Sequence, residues 1–184
     1  MKKNVLLVDD NQQMLDELRD IFKDNKINLL AADSGKEALK LAEKEDFDVA
    51  VVDIRLPDFN GVELIDKLKN VRPNSIYLLI TAYTSAETAI KALQKGVLDY
   101  IVKPFSPEEL INSVKKGFME KDAAEASEKR LEELVKEKGL LQAKVMMLEQ
   151  LNEIFMDREK KILDLKKEVN ELLLRLNENT KYVL

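Results

Sequence analysis

The sequence predicts an α/β domain built on a parallel sheet, followed by a long amphipathic helix. Three observations carry this expectation. Through residues 1 to about 120, short apolar runs alternate with stretches of helical periodicity. Several of those runs end in a charged or hydroxyl residue just where a loop begins. From about residue 121 onward, apolar residues recur every seventh position with no proline and a single glycine, Gly139.

The elements follow in order. Val5 to Val8 is an apolar run ending in Asp9-Asp10, and Asn11 can cap a helix on which Met14, Leu15, Leu18, Ile21 and Phe22 fall at helical spacing. Ile27 to Ala32 reads as a second strand. Asp33-Ser34-Gly35-Lys36-Glu37 opens a helix carrying Ala38, Leu41 and Ala42. Residues 47–53 form a third strand, Leu56-Pro57 breaks it, and Asn60-Gly61 turns into a helix with Val62, Leu64, Ile65 and Leu68. Ile76 to Ile80 is a fourth strand ending in Thr81-Ala82. Ala86, Ala89, Ile90 and Leu93 mark a fourth helix, with Gly96 as its C′ residue. Asp99 to Val102 is a fifth strand, and Ser106-Pro107-Glu108-Glu109 has the form of a capped start to the last helix. Five strands alternating with five helices imply a doubly wound parallel sheet covered on both faces.

Composition narrows the chemistry. The 184 residues contain no cysteine and no histidine, which excludes thiol and imidazole nucleophiles, disulfides and a structural zinc site of the usual ligands. No apolar run approaches the ~20 residues that span a bilayer. The start of the chain is charged too early for a signal peptide, so the expectation is a soluble cytoplasmic protein. A formal net charge of −5 argues against direct binding to nucleic acid.

Ligands of open α/β sheets bind beyond the carboxyl ends of the strands. Asp9 and Asp10 follow the first strand, Asp53 ends the third, Thr81 ends the fourth and Lys103 follows the fifth. Strands lie ~5 Å apart, so these side chains can surround one small ligand. Three neighbouring carboxylates repel one another unless a cation joins them, and an all-oxygen set suits Mg²⁺. Asp53, ionised at neutral pH, could then attack phosphorus, with Lys103 and Thr81 binding phosphate oxygens. Taken singly, each residue has a plainer reading as a helix cap, a strand end or a solvated charge. Their coincidence at one sheet edge is what favours chemistry.

The residues Val8-Asp9-Asp10, Asp53-Ile54-Arg55-Leu56-Pro57-Asp58 with Gly61, Thr81-Ala82 and Tyr100-Ile101-Val102-Lys103-Pro104-Phe105 resemble the receiver domain of two-component response regulators, of the chemotaxis-regulator kind. The resemblance covers residues 1 to about 120 and implies a flavodoxin-like sheet in the order 2-1-3-4-5. It implies that Asp53 accepts a phosphoryl group from a sensor histidine kinase. Asp10 and Asp53 would ligate Mg²⁺ directly, Asp9 would help through water, and the Arg55 carbonyl would add a further ligand. Thr81 and Tyr100 look like the pair that switches the face made by the fourth helix, fifth strand and fifth helix. Arg55 and Tyr83 occupy positions that tune dephosphorylation in relatives, and the Lys103-Pro104 bond is often cis.

The tail, residues 121–184, has 13 Lys and Arg against 14 Asp and Glu, a net charge of −1. Leu134, Leu141, Leu148, Phe155, Ile162, Val169 and Leu176 form its heptad column. The partner column is apolar at Leu151, Leu165 and Leu172 but holds Glu137, Lys144 and Arg158 elsewhere. Leu140, Met147 and Ile154 widen the stripe in the first half, which suits a bundle or a docked helix as well as a two-stranded rope. A dimerising coiled coil is the plain reading, and Ile154 to Leu176 also looks like the helical linkers between sensor and effector modules. Gly139 would weaken a continuous last helix by ~1 kcal/mol.

The expected function is therefore a response regulator that passes phosphorylation of Asp53 to its own C-terminal helix and thence to an unknown downstream protein. Two rivals remain: a constitutive coiled-coil adaptor with an inactive receiver, and an aspartate-nucleophile phosphohydrolase. The second usually needs an acid two residues after the nucleophile, where this chain has Arg55.

Overall fold

A computed structural model describes residues 3–82 and 95–176. Nine elements run β1 (Asn4–Val8), α1 (Gln12–Asp24), β2 (Asn28–Ala32), α2 (Gly35–Lys44), β3 (Val49–Asp53), α3 (Gly61–Val71), β4 (Ile76–Thr81), β5 (Asp99–Val102) and α4 (Pro107–Arg175) among the described residues. The strands form one parallel sheet in the order β2-β1-β3-β4-β5. This is the expected order. The expected fourth helix, residues 86–93, lies outside the described residues, so the last helix is the fourth here. β3 opens two residues later than read from the sequence, an ordinary uncertainty at strand ends.

The sheet is wound on both sides because its central strands are apolar on both faces. Leu6 and Val8 of β1, Ala50 and Val52 of β3, and Tyr77 and Leu79 of β4 bury against Ala38 and Ala42 of α2 and Leu64, Ile65 and Leu68 of α3. The alternate residues, Val5, Leu7, Val49, Val51, Leu78 and Ile80, bury against Leu15, Leu18 and Phe22 of α1 and Leu110, Ile111, Val114 and Phe118 of α4. Period-two alternation thus feeds two cores from the same strands.

Local chemistry sets the helix starts. The Asn11 side chain accepts from the Met14 amide at 3.2 Å, Asn60 from Val62 at 2.9 Å and Ser106 from Glu109 at 3.1 Å. Gly96 takes φ +69°, the left-handed conformation expected of a C′ glycine.

The chain divides into two compact units, Met1–Ser127 and Glu128–Leu184. In the first, Lys121 pairs with Asp48 at 2.8 Å, and Lys3 pairs with Asp122. Together with Arg72–Asp46 at 2.5 Å these ion pairs ring a cleft of about 650 Å³ at the N-terminal edge of the sheet. In the second unit, helix continues unbroken through Gly139, and the heptad residues are exposed, from Val169 at 36% to Leu176 at 70%. No helix among the described residues is long and apolar enough to cross a membrane.

Gly61 shows how tightly the loop after β3 is folded. Its amide donates to the Ile54 carbonyl at 2.8 Å, and a Cβ there would collide with the Asp53 carbonyl and the Ile54 backbone. Backbone atoms cannot yield as a side chain can, so Gly61→Ala should cost ~1–3 kcal/mol. Denaturant unfolding measures this, and an unchanged midpoint would mean the loop has slack.

Candidate functional site

Strand register brings the sequence-selected residues together. Val8 pairs with Val52, so Asp9 stands level with Asp53 across the β1–β3 ladder. Asp53 pairs with Ile80 and Thr81 with Val102, which carries the same edge on to Lys103. The Lys103 amide then donates to the Thr81 carbonyl at 2.7 Å, extending the β4–β5 ladder by one residue.

Asp9 is fully buried, Asp53 is 7% exposed and Asp10 is exposed, and their ligating oxygens all lie within 4.8 Å of one another. One oxygen of each buried acid takes a backbone amide: Asn11 donates to Asp9 at 3.0 Å and Arg55 to Asp53 at 3.0 Å. The other oxygen of each turns to one ammonium. Lys103 Nζ donates to Asp9 at 2.5 Å and also to Asp53. The Lys103–Pro104 bond is cis.

The electrostatics follow from this geometry. Burial pushes the Asp9 carboxyl up, and the Lys103 and Asn11 hydrogen bonds oppose that without cancelling it. Burial alone would lower the Lys103 ammonium. Its hydrogen bonds to Asp53 and Asp9, reinforced by their charges, outweigh burial and raise it. The lysine therefore stays charged at neutral pH. The set is all oxygen donors with one exposed member open to water, the donor chemistry of a hard divalent cation. Mg²⁺ fits it.

Thr81 is buried at the same edge, and Tyr100 is partly buried against the core shared with α2 and α3. Arg55 is exposed and bridges Asn60 across the loop. Tyr83 lies outside the described residues.

The sequence matches the response regulator receiver domain over residues 5–115. The chain belongs to that family. SaeR of Staphylococcus aureus (strain USA300), named a response regulator, is 35% identical over 108 residues, 59% of this chain and 47% of that protein. The crystal structure of a CheY-like receiver domain protein from Methanospirillum hungatei is 32% identical, with a TM-score of 0.65 over 67% of this chain and 99% of that one. A Burkholderia pseudomallei response regulator, solved with a phosphorylated aspartic acid, calcium ion and citrate, is 32% identical, with a TM-score of 0.59 over 68% of this chain and 74% of that one. The chain spans between 26% and 47% of the curated relatives it matches first. It is thus the receiver domain of a two-component response regulator, joined to a long helix.

The role of Asp58 escaped sequence reasoning. Ser34, the residue before α2, makes no side-chain cap bond. Asp58, from the loop after β3, supplies that cap instead, accepting from the Gly35 and Lys36 amides at 2.9 Å each. Slight burial works against the charge, but these two amides and Lys36 hold the carboxyl below its ordinary value. Asp58 thereby ties the loop carrying Arg55 to a separate helix. Its spacing from α2 in the sequence gives no sign of this.

Loss of a cap of this kind costs ~1 kcal/mol, so Asp58→Ala should destabilise by about that amount at neutral pH. Because the folded-state pKa is depressed, the contribution is complete above the ordinary value of 3.8 and disappears as pH falls through the folded one. Unfolding of both proteins between neutral and acid pH measures this. A difference that persists once the carboxyl is protonated would assign the loss to packing.

Proposed function

We propose that Asp53 is the phosphoryl acceptor of this receiver and that a sensor histidine kinase supplies the group. The observation that carries the reading is Lys103 bridging Asp53 and Asp9 at the carboxyl edge of the sheet. The phosphorylated aspartic acid of the Burkholderia pseudomallei relative supports it.

In the proposed transfer an Asp53 carboxylate oxygen attacks phosphorus. The new O–P bond forms as the P–N bond to the kinase imidazole breaks, and the electron pair leaves with the imidazole. The attack needs no general base, because a carboxylate nucleophile has no proton to lose. Asp10, Asp53 and the Arg55 carbonyl would hold Mg²⁺, with Asp9 helping through water. The bound ion supplies charge neutralisation for the incoming phosphoryl oxygens. Lys103, already charged and already beside Asp53, would move to a phosphoryl oxygen, and the Thr81 hydroxyl would donate to another.

Thr81 and Tyr100 are the proposed switch pair, coupling the modified edge to β5 and the start of α4. Arg55 and Tyr83 are proposed to set how fast water reaches the phosphoryl group. Residues 1–120 are the proposed receiver and 121–184 the proposed output segment. Through the latter the chain would form a homodimer and reach its downstream protein. A receiver of this kind modifies and unmodifies itself and turns over no separate substrate.

The test is incubation with Mg²⁺ and acetyl phosphate, followed by intact-protein mass spectrometry. One base-labile phosphoryl group per chain is expected, lost with Mg²⁺ removal and in Asp53→Asn. Stoichiometric uptake by Asp53→Asn would overturn the assignment.

A further inference from the structure

Helix α4 leaves Phe155, Ile162, Leu165 and Leu172 between 50% and 61% exposed, an apolar seam. Helices of this length owe most of their stability to a packed apolar face. The charges beside the seam identify what can cover it.

A parallel in-register pair sets each residue against its own copy. With the column at Phe155, Ile162 and Val169, the second seam position holds Arg158, which would face the partner's Arg158 inside the seam. Toward the N-terminus, Glu137 and Lys144 would do the same. On the flank, Lys161 would lie against the partner's Lys166. Each of these contacts sets like charges together.

An antiparallel pair behaves differently. With Ile162 layered on the partner's Leu165, Phe155 meets the partner's Leu172 and Leu151 meets the partner's Leu176. Arg158 then packs its stem on the partner's Val169, with its guanidinium free to reach water at the seam's edge. On one flank Glu159 meets the partner's Lys166, and on the other Lys161 meets the partner's Glu168, each pair repeated by the two-fold axis. Sliding one heptad in one direction sets Glu159 against the partner's Glu159 and Lys161 against the partner's Lys161. Sliding in the other sets Glu168 against the partner's Glu168 and Lys166 against the partner's Lys166.

We propose that residues 151–176, the end of α4 and the residue after it, dock onto the same segment of a second copy in antiparallel orientation, in the register that pairs Ile162 with the partner's Leu165. This rests on the homodimer of the preceding section and adds its direction and register. Flanking ion pairs contribute little affinity, but they decide between alignments whose apolar layers are equivalent.

The chain has no cysteine, so disulfide trapping reads the arrangement directly in all 184 residues. Phe155→Cys and Leu172→Cys are prepared separately, oxidised mildly alone and as a mixture, and their mass is followed by light scattering. The antiparallel register predicts a crosslink only in the mixture, since like positions would stand ~25 Å apart. Crosslinking of each variant with itself would overturn the orientation and leave the homodimer intact. A monomer at all concentrations would overturn both.

Lys161→Glu, an exposed change that leaves the seam whole, gives an independent reading. In the antiparallel dimer it meets the partner's Glu168 and should weaken association ~3-fold or more. Tighter association would mean it has met the partner's Lys166 in a parallel pair, and would overturn the proposal.

Discussion

The Lys103 ammonium between Asp9 and Asp53 is the interaction on which the receiver depends. Two buried carboxylates at ~4 Å repel by about 4 kcal/mol at an effective dielectric of 20. A cation must therefore sit among them, or a proton must bind. The lysine fills that role here, and it reaches the acids because it directly follows Val102, the last residue of β5, which pairs with Thr81. Sheet register is thus the origin of the charge balance. The registers of β1, β3, β4 and β5 are held in turn by two apolar cores drawn from alternate residues of the same strands.

Most of this was legible in the sequence because it is local. Apolar runs of strand length, caps at Asn11 and Ser106, the Asn60-Gly61 turn and polar residues at strand ends are each read within a few positions. Strand order followed from the resemblance carried by Asp9-Asp10, Asp53, Thr81 and Lys103. What could not be read joins distant parts of the chain. The Asp58 cap on α2, Lys121 against Asp48, and Lys3 against Asp122 pair residues whose chain separation carries no periodicity. Gly139 would have been a reasonable place to break the last helix. It does not, because ~1 kcal/mol is small beside the helix-favouring residues on either side.

The two halves of the chain solve different problems. The receiver buries its apolar residues internally and leaves one charged edge open to chemistry. The tail exposes its apolar column, and in the proposed dimer the charges beside it would discriminate among alignments. Phosphorylation would change the charge at the first, and the proposed pairing of the second would depend on weak, reversible contacts. Such a surface suits a signal that must be erased as readily as it is written.

The charge balance at the site is open to direct measurement. Calorimetric titration of Mg²⁺ into wild-type protein and into Lys103→Met compares the cluster with and without its resident ammonium, while the methionine keeps most of the stem's packing. If the lysine and the metal serve the same carboxylates, the variant binds Mg²⁺ several-fold more tightly, because no positive charge opposes the ion. Equal or weaker binding by Lys103→Met would contradict that charge balance.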